Sequence, residues 1–353
     1  MNPGRCPGLI FFVPTAQRMP DKISIQPLAP NELMATIPCS DLDESIGHYT
    51  RELGYRLDMI VPADSPTAAV VSRDGEAVRL VLSLALSSSS SRPTSDEEPT
   101  KVGTQNTEPT KVGTQNEWIT GRAGMEYRDL IPGRLGGRMI ASHIRLTKGG
   151  DVPDYVHYHK VKFQMIYCLA GSIRVVYEDQ GGPFWLNPGD CVLQPPEIRH
   201  RVLGCTAGSE VVEVGMPAVH ETWVEHEIKL PTREIKPDRI FNGQRFVRHI
   251  AAEAAWTQSE IDGIEMRDTG ISAVTNDRAD VRVLRPGSGS VLPAKYTKMR
   301  EIVFCFVLTG SVRMGSGNDV SREFTETDAF VMPTNEDFTV TMSAGSEILA
   351  VCT

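Results

Sequence analysis

The sequence predicts a mainly β protein in three parts: a small α+β module, then two tandem all-β units. Three observations predict it. Short strand candidates separated by turn residues run from Trp118 to about Pro217, the spacing of a barrel or a sandwich. The same text returns in weaker form further on, so that YCLAGSIRV at Tyr167–Val175 is answered 139 residues later by FVLTGSVRM at Phe306–Met314. Ahead of both lies a stretch that reads strand, capped helix, strand, strand, strand.

Composition bounds the function. A chain of 353 residues holds two or three domains, and 40% hydrophobic residues can fill their cores. A net charge of −9 argues against nucleic acid as a partner, since that needs a basic face. No apolar run approaches the roughly 18 residues of a membrane span, and the five apolar residues Leu9–Val13 do not make a signal peptide. Seven cysteines without a C-x-x-C pair point to reduced thiols and a cytoplasmic location.

Residues 1–31 are proline-rich and aperiodic, and are expected to form an arm or disordered tail. The module spans 32–86. Ser40 or Asp41 caps its helix, Glu44 sits in the first turn, Ile46, Tyr49 and Leu53 recur at helical spacing, and Gly54 ends it. Strands follow at Ala68–Ser72 and Val78–Leu86. Residues 87–116 read as a flexible linker, rich in Ser, Pro and acid, with EPTKVGTQN written twice at Glu98–Asn106 and Glu108–Asn116.

The first all-β unit covers 117–217. Its strand candidates are Arg138–Leu146, Asp154–His159, Phe163–Ala170, Ile173–Glu178, Cys191–Gln194 and Val211–Gly215. On a strand, His157 and His159 share one face, about 7 Å apart, and neutral imidazole is a common ligand for zinc, copper, iron and nickel. Tyr155 shares that alternation and is a candidate for the same cavity. Tyr167 and His143 are candidate pocket residues, packing being the competing role for each. His220, His226 and His249 lie in connectors and show no ligand spacing.

After a connector at 218–255 the second unit covers 256–353. Trp118 is answered by Trp256, GMEYRD at Gly124–Asp129 by GIEMRD at Gly263–Asp268, and GDCVLQP at Gly189–Pro195 by TDAFVMP at Thr327–Pro333. Through the offset of 139, which becomes 138 in the last segment, His157 falls on Tyr296, His159 on Lys298, Gln164 on Val303 and His200 on Phe338. The second unit is therefore expected to be metal-free scaffold.

Two segments of the first unit resemble the cupin superfamily. Its first motif, G-x5-H-x-H-x3–4-E-x6-G, is met by Gly150, His157, His159, Gln164 and Gly171, with the first gap one residue longer and glutamine for glutamate. Its second, G-x5-P-x-G-x2-H-x3-N, is met by Gly189, Pro195 and His200, with Glu197 for the internal glycine and Gly204 for the asparagine. The resemblance implies two tandem cupin-type β-barrels, each a double-stranded β-helix, over about 117–353. It implies one divalent metal ion held by His157, His159, His200 and the position of Gln164. In that superfamily three-histidine iron sites are typical of thiol and gentisate-type dioxygenases, whereas an added glutamate is typical of quercetin dioxygenases and many isomerases and lyases. The expected function is thus a mononuclear metal-dependent enzyme, an iron(II) dioxygenase on a small organic acid or aromatic compound, with manganese, nickel or zinc as other ions. The alternatives are a non-catalytic binding or sensing protein and a metal-dependent isomerase or lyase using Tyr155 as base.

The phrase SDLDESIGHYTRELGY at Ser40–Tyr55 resembles the first helix of the vicinal-oxygen-chelate superfamily, the glyoxalase and bleomycin-resistance proteins. Where that family has a metal ligand this chain has Met34 or Ala35, and only one module of the usual two is present. The module is therefore expected to be a non-catalytic partner or dimerisation element. An unpaired module would leave a sheet edge open, which predicts a homodimer.

Overall fold

The structure is a computed structural model that describes residues 34–83, 118–287, 294–297, 302–315, 322–332 and 337–353. The expected N-terminal arm and the linker with its tandem repeat lie outside these residues, as does Lys298; of Tyr296 and Phe338 only the backbone is described.

The module comprises β1 (Ala35–Cys39), α1 (Leu42–Gly47) continuing as a π-helical turn (His48–Glu52), β2 (Arg56–Val61), β3 (Ala68–Arg73) and β4 (Glu76–Leu82). Asp41 caps α1 by accepting from the Glu44 amide at 2.8 Å. Gly54, at φ +73°, turns the chain out of the helix. Leu42, Ile60, Ala69, Val71, Val78 and Leu80 form the module's core.

The first barrel contains β5 (Ile119–Thr120), β6 (Glu126–Asp129), β7 (Ile140–Leu146), β8 (Gly150–Asp151), β9 (His157–His159), β10 (Phe163–Ala170), β11 (Ile173–Tyr177), β12 (Phe184–Leu186), β13 (Cys191–Leu193), β14 (His200–Cys205) and β15 (Ser209–Met216). The connector adds β16 (Thr222–Val224), a hairpin of β17 (Ile240–Phe241) and β18 (Gln244–Arg245), and β19 (Val247–His249). One sheet runs β19-β13-β10-β15-β7-β6-β5. The facing sheet runs β1-β4-β3-β2-β16-β9-β14-β11-β12, with β8 on β14. The module is therefore no separate body with a bare edge. Its strand β2 pairs with β16, which pairs with β9. The open edge on which a dimer was expected is covered on this side within the chain, while β1, at the far end, is exposed.

The second barrel repeats the plan with β20 (Thr257–Gln258), β21 (Ile264–Asp268), β22 (Asp280–Pro286), β23 (Ala294–Thr297), β24 (Val303–Thr309), β25 (Ser311–Gly315), β26 (Arg322–Thr325), β27 (Ala329–Val331), β28 (Asp337–Met342) and β29 (Glu347–Cys352). Its sheets run β20-β21-β22-β29-β24-β27 and β23-β28-β25-β26.

Alternation along the strands builds three cores. On β10, Phe163, Met165 and Tyr167 face outward and pack with Val281, Phe304, Phe306 and Leu349 of the second barrel. At the alternate positions Ile166 and Cys168 face inward, into a core shared with Ile144, Val175, Tyr177, Leu186 and Val211. The second barrel is filled by its own cluster around Phe324 and Phe330. One sheet of each barrel is thus buried on both faces.

Candidate metal centre

Strand β9 presents His157 and His159, and β14 opens on His200, whose register partner is His157. All three are at most 5% exposed. Ring centroids lie 4.3 Å apart for His157 and His200, 5.1 Å for His157 and His159, and 5.2 Å for His159 and His200. One nitrogen of each ring lies within 4.8 Å of the others, a grouping that could hold a metal ion.

The turn before His200 explains how β14 comes to this place. Glu197 has φ +63°, the left-handed region where the cupin motif has glycine, at a cost on the order of 1 kcal/mol. Its amide donates to the His159 carbonyl at 3.1 Å, tying that turn to β9.

The rings are held from behind. His157 Nδ1 donates to the Tyr155 carbonyl at 2.8 Å, and His200 Nδ1 to the Ile198 carbonyl at 3.0 Å. A carbonyl only accepts, so the proton is on Nδ1 and the lone pair is on Nε2. His159 Nδ1 lies 2.8 Å from Thr222 Oγ1. The buried Asp154 carboxylate stands 3.6 Å behind His157 Nδ1. Tyr177 stacks on His200 at 5.6 Å between ring centroids. Nδ1 is engaged in each ring; in the neutral form, with the Thr222 hydroxyl accepting as the carbonyls do, the three imidazoles can offer Nε2 to a divalent transition ion.

The cavity in front of them is about 60 Å³. Aliphatic side chains such as Ile144, Ile166, Val175, Leu186 and Val202 line most of it, and its lining includes one carboxylate, Glu213, and no lysine or arginine. Glu213 projects from β15, diagonally across the ladder from Gln164. Gln164 is 1% exposed, and its amide donates to Glu213 Oε1 at 3.1 Å. The residue expected as a fourth ligand therefore orients a carboxylate on the neighbouring strand. Gln194 donates to the Tyr177 hydroxyl at 2.8 Å, and burial pushes the Tyr177 phenol up.

The three candidate pocket residues lie elsewhere. Tyr155 precedes β9 and packs edge-on against His157 at 5.8 Å, and its carbonyl accepts from His157 Nδ1. Tyr167 points away from the cavity into the core between the barrels, and burial raises its pKa. His143 sits on β7 opposite Val212, which shares the outward face, and packs on Phe306 of the second barrel at 5.9 Å. Strands β7 and β10 are buried on both faces, so hydrophobicity along them does not tell inside from outside. Sequence reasoning missed Glu213, Gln194 and Tyr177. It also passed over His220, whose ring meets His159 edge-on at 5.4 Å, and Thr222, both in the connector. The pairing of alternate residues in VVEVG with the inward face was the only signal for Glu213.

In the second barrel Val303 occupies the Gln164 position and is 1% exposed in a hydrophobic cluster. Among the described residues, the one cluster of metal-ligating side chains is the triad of the first barrel. No helix among them is long and apolar enough to cross a membrane.

Residues 142–214, which include all three histidines and Glu213, match a family model described as a cupin domain. Among solved structures, the chain is similar to a single-residue mutant of oxalate decarboxylase from Bacillus subtilis, with 14% identity, a TM-score of 0.48, and 71% of this chain and 78% of that one covered. It is similar to a formate complex of oxalate decarboxylase from Lactobacillus farciminis, at 12% identity and TM-score 0.49 over 71% and 87% of the two chains. The protein Ylba from E. coli matches at 13% identity and TM-score 0.45 over 68% and 84%. No curated protein matches the chain.

Proposed function

We propose that the first barrel is the active site of a mononuclear metal-dependent enzyme, an iron(II) dioxygenase acting on a small organic acid. One observation carries this reading: three buried imidazoles, each with Nδ1 held by a neighbouring group, bring one nitrogen apiece within 4.8 Å of one another. His157, His159 and His200 would hold the ion. When bound, such an ion supplies Lewis acidity and open positions, and iron(II) also supplies electrons for oxygen chemistry. The cavity, at about 60 Å³, is well below the roughly 150 Å³ that holds benzene. That favours a small acid over an aromatic ring. No basic side chain lines it, so a substrate carboxylate has only the ion to meet its charge. The aliphatic walls keep bulk water from the reacting atoms.

Glu213 favours a second reading. Held by Gln164, it is placed to take a proton from a substrate hydroxyl or carbon acid, the base that an isomerase or lyase needs. Manganese, nickel or zinc would serve that chemistry. We read residues 32–86 as a vicinal-oxygen-chelate-like module without a metal site of its own, and the chain as a cytoplasmic homodimer, which sedimentation would check.

Elemental analysis of freshly purified protein beside His159→Ala tests the metal. Anaerobic loading with iron(II), then oxygen uptake with a panel of small monocarboxylates and hydroxy acids, tests the chemistry. A protein that takes up no divalent ion ends the reading; turnover of a hydroxy acid without oxygen consumption selects the second.

A further inference from the structure

We infer that the N-terminal module is a working part of the metal site, and that Thr222 is the positioning residue through which it acts. The inference rests on reading the triad as a metal centre. Three consecutive strands of one sheet carry it: β2 of the module, β16 of the connector and β9 with the histidines. Thr222 stands at the crossing, paired with Ile60 on one side and His159 on the other. It is 0% exposed, and its hydroxyl is the partner of His159 Nδ1 at 2.8 Å.

Strand β16 is three residues long. So short a strand makes few ladder bonds with either neighbour, and its position depends on both. On the barrel side Lys160 pairs with Glu221 at 3.0 Å and lies over the Trp223 ring at 4.6 Å. On the module side His226 Nε2 bonds the Leu57 carbonyl at 3.0 Å, close to the Asp58 carboxylate at 3.2 Å. Arg134 joins Asp64 of the module to Asp129 of the barrel. The module thus clamps the strand that sets the plane of the His159 ring. Loss of a partner that fixes a ligand histidine typically weakens metal binding by about 10–100-fold. Coupling is reciprocal, so a bound ion must in turn stabilise the pairing of β2 with β16.

The test uses the full-length chain and cobalt(II) alone, with affinity read by competition against a chromophoric chelator. Thr222→Val keeps shape and removes the hydroxyl; Thr222→Ser restores it. Thr222→Val is expected to bind cobalt about 10–100-fold more weakly with an altered d–d spectrum, and Thr222→Ser to bind within a few-fold of the parent. Amide exchange in Arg56–Val61 is expected to slow when cobalt is added, while Ser311–Gly315 in the second barrel is unchanged. Parent-like affinity and spectrum in Thr222→Val, or exchange in Arg56–Val61 that ignores the metal, overturns the inference while leaving the metal centre standing. Failure of the parent to bind cobalt removes the metal centre first, and the inference with it.

Discussion

The two barrels share their scaffolding and differ in what fills them. In both, a tryptophan lies beneath an arginine: Arg145 over Trp118 at 4.0 Å, Arg285 over Trp256 at 3.8 Å. In both, a buried serine closes the turn after a central strand. Ser209 Oγ meets the amide and carbonyl of Ser172 at 3.1 and 3.0 Å, and Ser346 Oγ those of Ser311 at 3.0 and 2.8 Å. That turn needs glycine, because a Cβ on Gly171 or Gly310 would come within 2.5 Å of the serine hydroxyl. The interiors diverge. By matched register, Glu213 becomes Ala350, Gln164 becomes Val303 and Gln194 becomes Met332. Leu186 and Val192 become Phe324 and Phe330, whose rings meet at 4.5 Å. The second barrel has exchanged a mostly aliphatic cavity with a few polar groups for packed aromatic volume. A barrel of this kind can therefore carry a site or a solid core on one backbone, and the choice lies with a handful of inward positions.

The sharpest way to break that contrast is to remove a ligand. His200→Ala is expected to abolish metal binding, taking content from about one ion per chain to none, while far-UV circular dichroism stays unchanged. Metal retained at parent level in the variant would show that the triad is not the site.

The converse substitution probes the filled barrel. Phe330→Ala is expected to cost about 3–5 kcal/mol of stability and leave metal content untouched, read by denaturant unfolding and elemental analysis. A loss of metal from this change would mean that the barrels are not independent in function. A milder test makes the first barrel resemble the second: Leu186→Phe should cost about 1–3 kcal/mol and, by filling the cavity, depress turnover more than metal binding.

These expectations also mark what could be read without coordinates. The three histidines were legible because their spacing is a pattern with a chemical meaning, and the tandem barrels because the text of one could be laid against the other. The inward or outward sense of β7, β10 and β15 was not legible. Each is sandwiched between its own barrel and the neighbouring one, so Val211 and Val212 are both buried although they face opposite ways. Alternation gives parity on such a strand but not sign. That is why the sequence leaves Tyr167 and His143 between cavity and packing and does not single out Glu213. The role of Thr222 was hidden for a different reason. A three-residue strand in a connector has no periodicity to detect, and its importance comes from two partners distant in sequence.

His143 bears on the seam where the barrels meet, and its acid-dependent contribution is the smallest expected effect. Its counterpart by register is Val283, so one barrel brings a titratable ring to a seam where the other brings an alkyl group. His143 is 2% exposed. Arg128 donates to its Nδ1 at 2.9 Å, and its Nε2 lies 2.6 Å from Glu210 Oε2. A guanidinium only donates, so Nδ1 holds the lone pair and the proton is on Nε2, shared with Glu210. Charging the ring would place a second proton on Nδ1, facing Arg128. Burial, aided by Arg128 and Arg145, holds the His143 pKa below the usual value, and Glu210 offsets this only in part. The unfolded chain then takes up a proton near pH 6.5 before the folded one does. Stability is therefore level above about pH 6.5 and falls as pH drops from there toward the lower folded pKa. His249, also buried and also depressed, chiefly by burial and then by Arg267, adds a loss of the same sign. Replacing His143 by valine should lower stability at pH 7.5 by about 1–3 kcal/mol, because Arg128 loses a buried acceptor. It should also shrink, without abolishing, the further loss between pH 7.5 and 5.5. Urea unfolding of both proteins at the two pH values measures this, and equal acid-dependent losses would show that the seam does not hold His143 neutral.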